Sequence, residues 1–129
     1  MPSEFSPQVH FDVHHFAVLI GVGATTVNAY VAEAAIADRH GRGLLPKLDL
    51  TGAVANYRKA VEDGLLKIMS KMGISIIASY RGGYNFEALG LSRSLVATYF
   101  PPMSSRISGL GMKGIAAGVL ELHREAFAV

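Results

Sequence analysis

Six apolar side chains, Val54, Tyr57, Val61, Leu65, Ile68 and Met72, recur at intervals of 3, 4, 4, 3 and 4. That rhythm is the 3.6-residue period of a helix with one apolar face, so the middle of the chain is committed to an amphipathic helix that must lie against something. Asp49 or Thr51 stands where a side-chain cap belongs, and Asp63 precedes Lys67 by four residues, the favourable order for an ion pair along a helix. Gly73 ends the pattern. Gly64 interrupts it at a cost of roughly 1 kcal/mol relative to Ala, which makes a kink, or two shorter helices, the alternative to one straight rod.

Around this helix the chain reads as follows. Residues 1–12, punctuated by Pro2 and Pro7, form an extended lead-in, and residues 13–129 form one α/β segment. The nearly continuous apolar run from Val13 to Gly21 suits a strand buried on both faces. The Ala-rich run Asn28 to His40 is a helix stopped by Gly41 and Gly43. Ile74 to Ser79, with three isoleucines in six residues, reads as a second buried strand. Short helices are expected at Asn85–Leu89 and Ser92–Tyr99, the second capped by Ser92 and closed before Pro101. A polar loop, Ser104 to Gly111, then leads to a last helix with Met112, Ile115, Val119, Leu122 and Ala126 on one face. The fold class is therefore α/β: a helix-rich, incomplete unit with about two buried strands, part of a larger multi-domain fold, because two strands do not complete a sheet.

Composition points the same way. The chain has 129 residues, half of them apolar, and only 22 charged side chains (17%). A typical protein carries about 25% charge, which here means roughly ten more. So thin a charged cover on about 6,600 Å² of surface implies that part of it is buried against something else, and an isolated chain is expected to self-associate. The charge is also uneven. Residues 1–63 carry a net −2, residues 64–113 a net +5 with Glu87 as their single acid, and residues 114–129 a net −1. The basic stretch suggests an anionic neighbour: a phosphate, a carboxylate or an acidic protein face. An ordinary solvated face accounts for it equally well.

Several chemistries are excluded or weak. Without cysteine there is no disulfide, thiolate metal site, iron–sulfur ligand set or cysteine nucleophile within the chain. The longest apolar stretch, Phe16 to Ile20, is too short to span a membrane, and no signal peptide precedes it, so a cytoplasmic location is expected. Gly21-Val-Gly-Ala-Thr-Thr invites comparison with the dinucleotide fingerprint, but Thr26 stands at the third glycine and no acid follows at the needed place. His10, His14 and His15 lack a companion carboxylate or thiolate set, and adjacent residues of a strand face opposite ways, so a structural role is the stronger reading. The loop Ser79-Tyr80-Arg81-Gly82-Gly83 is the best binding candidate. It follows the second expected strand, where open α/β sheets hold ligands, and it sets a guanidinium beside flexible N–H groups. A tight turn needing positive φ explains the glycines equally well. With Lys67, Lys71 and Arg106 from the basic stretch, these residues are the anion or domain-interface candidates. Tyr80, Tyr84 and Phe86 beside the loop raise a weak nucleic-acid reading.

Six consecutive blocks are more specific than any of these motifs. Val13-His-His-Phe-Ala-Val-Leu-Ile-Gly, Asn56-Tyr-Arg-Lys-Ala, Gly64-Leu-Leu-Lys-Ile-Met-Ser-Lys-Met-Gly-Ile-Ser, Ser79-Tyr-Arg-Gly, Phe86-Glu-Ala-Leu-Gly-Leu and Ser105-Arg-Ile-Ser-Gly, in that order, resemble the large subunit of glutamate synthase. Many members have Ala-Gln where this chain has Gly83-Tyr84, and Arg-Ile-Gly-Gly where it has Arg106-Ile-Ser-Gly. The resemblance implies a large enzyme with a glutaminase domain, a central α/β domain, an FMN-binding (β/α)₈ barrel carrying a 3Fe-4S cluster, and a β-helix. That enzyme makes two L-glutamate from glutamine, 2-oxoglutarate and reductant, in ammonia assimilation, commonly with NADPH electrons delivered by a flavoprotein small subunit. The blocks match the end of the central domain and the approach to the FMN domain, so no catalytic residue carries over and no cofactor is expected in this chain itself. Its expected partners are the remaining domains of the large subunit, with no membrane and no nucleic acid. The alternatives are a free-standing α/β module binding an anionic metabolite and an RNA-contacting scaffold.

Overall fold

The computed structural model describes residues 12–128, in two compact units, 12–83 and 84–128. The expected extended lead-in lies, apart from residue 12, outside the described residues.

Among its described residues the first unit has helices and no strand. Helix α1 (Val13–Gly21) occupies the run expected to be a strand. A continuous apolar run does not by itself distinguish a strand from a buried helix, and here the cap decides. The Asp12 carboxylate accepts from the His14 and His15 N–H groups, and the His15 ring accepts from the Asp12 N–H, a reciprocal box that starts a helix. Phe16, Ala17 and Gly21 are its buried side. His14 and His15 therefore sit in a helical first turn, not on opposite faces of a strand. Helix α2 (Tyr30–Gly41) ends at Gly43, whose φ of +71° suits glycine.

Helix α3 (Leu50–Lys71) is one unbroken rod of 22 residues, about 33 Å long, capped by Asp49, whose carboxylate accepts from the Gly52 N–H at 3.0 Å. Gly64 does not break it. A Cβ placed there would come 2.6 Å from Val13 Cγ2, so the missing side chain is what lets α1 lie against α3. Asp63 pairs backwards with Lys59 at 3.1 Å instead of forwards with Lys67. Ala53 and Met69 are the buried positions of α3, and the expected stripe beside them is half-buried except for Met72, which is exposed.

The second expected strand is also absent. Residues 74–76 are irregular and Ile77–Tyr80 forms a single helical turn, α4, with Ile76 and Ile77 exposed. A strand needs a neighbour for its N–H and C=O groups, and this unit has none among its described residues. The segment bonds locally instead, with Ile74 N–H to Met69 O and Arg81 N–H to Ile77 O.

The second unit holds the strands. β1 (Glu87–Leu91), α5 (Arg93–Tyr99), β2 (Ser104–Leu110) and α6 (Met112–Phe127) follow in order, with β1 and β2 parallel and α5 as the crossover. Asn85–Leu89, expected as a helix, thus contributes to a strand, and the expected loop Ser104–Gly111 is a strand. Gly90 adopts φ +78°, and Gly109 passes so close to the Gly90 carbonyl that no side chain fits between them. Register shifts flank the Leu89–Ile107 pair. Ser92 caps α5 as expected, accepting from the Leu95 N–H. Ala88, Leu95 and Val96 are buried, whereas β2 is largely exposed and α6 has no buried residue. The helix-rich α/β class holds, but its strands are not the ones expected, nor are they covered on both faces.

Candidate functional site

The loop after α4 latches the end of α1. Tyr80 is fully buried, and its hydroxyl donates to the Ala17 carbonyl at 3.1 Å. Burial pushes that phenol above its ordinary pKa, so it stays a donor. One residue on, the Arg81 Nη1 donates to the Gly23 carbonyl and the Thr25 hydroxyl, both at 3.4 Å. The Gly82 N–H donates to the Ile20 carbonyl at 3.1 Å, and the Gly83 N–H turns back to Tyr80 O. Three consecutive residues therefore hold the carbonyls and turn that close α1. Gly82 takes φ +70° to do so. An anion cradle needs these amides to converge outward, and both are spent inside the unit. At Arg81-Gly82-Gly83 the guanidinium and both glycine N–H groups thus have partners within the unit. Ser79 is exposed beside the latch.

The same geometry disposes of the dinucleotide fingerprint: Gly21 is the last residue of a helix, not of a strand, and Gly23 at φ +111° turns the chain after it.

Lys67 and Lys71 lie at the other end of α1. They and His14 rim a groove of about 300 Å³ floored by Val13, Gly64 and Ile68. α1 rises about 13 Å over its nine residues, so this groove and the Arg81 latch are separate places on the first unit. Arg106 belongs to the second unit, where Glu87 binds it twice, by Nε at 3.3 Å and by its N–H at 3.3 Å. The eight candidate residues thus divide among a latch, a groove and a strand-pair ion bridge.

A third feature escapes sequence reasoning. A cleft of about 430 Å³ is lined by Phe16, Val27, Glu33, Tyr57, Arg58 and Glu62, with Arg58 and Glu33 paired across α3 and α2 at 2.8 Å. The Tyr57 hydroxyl is shielded from solvent without a hydrogen-bond partner among the described residues, and burial, with the Glu33 carboxylate second, raises its pKa. Tyr57 belongs to the periodic stripe and so reads as core, while Glu33 and Arg58, 25 residues apart, meet only through tertiary packing.

Among the described residues no three His, Asp or Glu side chains gather to hold a metal, and no helix is long and apolar enough to cross a membrane. The chain has no cysteine, so its residues do not fit a thiolate-held iron–sulfur cluster.

Comparison with known proteins covers both units. Residues 8–92 match the family described as the glutamate synthase central domain. The chain is 67% identical over 116 residues to the glutamate synthase [NADPH] large chain of Azospirillum brasilense, and 42% identical over 116 residues to that of Bacillus subtilis. It is 39% identical over 123 residues to the glutamate synthase [NADH] of Saccharomyces cerevisiae. Each match takes in 90% of this chain but only 8%, 8% and 6% of the relative. A ferredoxin-dependent glutamate synthase of Synechocystis is 40% identical over 91% of the chain and 8% of its own length. The chain belongs to the glutamate synthase central-domain family.

Proposed function

We propose that this chain is an interdomain, structural segment of a glutamate synthase large chain, the oxidoreductase that forms two L-glutamate from glutamine, 2-oxoglutarate and reductant in amino-acid biosynthesis. The observation that carries the reading is the 67% identity running along 90% of the chain while covering 8% of the relative. The exposed apolar side chains of the second unit, among them Leu89, Ile107, Leu120 and Phe127, supply the physical reason: they need other domains of the same large chain to cover them. FMN and the iron–sulfur cluster belong to those other domains. Relatives named for NADPH, NADH and ferredoxin share this segment along about nine-tenths of it, so it does not select the electron donor.

Arg81 serves this role as an internal brace, and Lys67, Lys71 and Arg106 as interface cations. The test is direct. The isolated chain, mixed with FMN, glutamine, 2-oxoglutarate and NADPH, is expected to form no glutamate and to retain no flavin absorbance after gel filtration. Stoichiometric flavin, or glutamate above the protein-free rate, would overturn the proposal.

A further inference from the structure

We propose that the groove between the start of α1 and the last turns of α3 is a docking surface for an acidic polypeptide segment, a carboxylate side chain reaching Lys67 and Lys71 while an apolar neighbour rests on Val13 and Ile68. This rests on the reading of the chain as an interdomain part of a larger one. Four observations carry it. The two ammonium groups stand one helical turn apart, exposed, and neither has an ion-pair partner among the described residues. The carboxylate that local spacing offers Lys67, Asp63, is taken by Lys59. Among the described residues no acid lines the groove, and the carboxylate that precedes α1, Asp12, accepts from two N–H groups at the helix start. The floor, finally, exists because Gly64 lets α1 and α3 approach, which leaves an apolar trough of about 300 Å³ under a cationic rim. That volume accepts one or two side chains rather than a cofactor. Charge complementarity therefore selects an acidic segment over a neutral or basic one.

Zero-length cross-linking tests this, because a carbodiimide joins only an ammonium and a carboxylate already in contact. A glutamate synthase large chain carrying residues 12–128 is treated with a water-soluble carbodiimide, digested and read by mass spectrometry. Isopeptide bonds from Lys67 or Lys71 to Asp or Glu outside the 129 residues are expected, with a yield that falls at least threefold in 0.5 M sodium chloride. Two results would overturn the docking surface alone: Lys67 and Lys71 linking only within their own unit while Lys47 or Lys113 reaches the other domains, or links between two copies when isotopically labelled and unlabelled chains are mixed. If no lysine of the segment links to the rest of the large chain, both the docking surface and the interdomain reading fall.

Discussion

At the scale of single residues, Gly64 shows how a local defect becomes a tertiary requirement. Within α3 alone, alanine is the better residue by roughly 1 kcal/mol. Against α1 it is worse, because its Cβ would lie 2.6, 2.7 and 3.1 Å from Val13 Cγ2, Cγ1 and Cβ, and a β-branched side chain has little room to turn away. Overpacking of this kind costs about 1–3 kcal/mol, so Gly64→Ala is expected to lower stability by about 1 kcal/mol net. Val13→Ala in the same chain should recover most of it. Thermal melts followed by circular dichroism decide: a Gly64→Ala chain more stable than the parent would show that α1 does not pack there. The candidate residues were legible as residue types and not as an arrangement. Arg81 and its glycines invite an anion, and only the packed chain shows the Arg81 guanidinium and the Gly82 N–H bonded to Gly23, Thr25 and Ile20.

Helices in this chain are decided by their ends as much as by their apolar content. α1 and the run Ile74 to Ser79 look alike in composition, yet the first is a helix of nine residues and the second barely one turn. The difference is Asp12, whose carboxylate is held below its ordinary pKa of 3.8, chiefly by the His14 N–H. A carboxyl depressed on folding stabilises the helix above its unfolded pKa, and that contribution disappears as pH falls through the folded value. Acidification from about pH 5 towards pH 2 is therefore expected to lower the protection of the first-turn amides of α1, taken relative to the intrinsic exchange rate at each pH. Asp12→Asn keeps an acceptor and should flatten this pH dependence. Hydrogen exchange measured at His14 and His15 distinguishes the two, and an unchanged pH profile in the Asn variant would remove the cap from the account.

On the scale of the whole molecule, the described residues bury little beyond eight apolar side chains, while Leu89, Ile107, Leu110, Met112, Val119, Leu120, Leu122 and Phe127 of the second unit are more than half exposed. A parallel pair of strands is ordinarily covered on both faces, and this one is not. The isolated chain is accordingly expected to self-associate. Light scattering over a dilution series should show mass rising with concentration, together with binding of a hydrophobic dye. A monomer at every concentration that binds no dye would contradict this.

What the sequence determined by itself was whatever depends on near neighbours along the chain: the stripe and Asp49 cap of α3, the Ser92 cap of α5, the glycine stops at Gly43 and Gly73, the apolar face of α6, and the ordered blocks that resemble the family. The strands were decided only by tertiary structure. Period and capping act within a few residues, whereas a strand exists only where another backbone lies beside it to take its hydrogen bonds. Glu87–Leu91 and Ser104–Leu110 find each other across α5, aided by the side-chain-free contact of Gly90 and Gly109, and the isoleucine run from Ile74 finds no such partner among the described residues. The latch of Tyr80, Arg81 and Gly82 onto α1 was likewise a tertiary decision, since it joins carbonyls that are roughly sixty residues away in sequence.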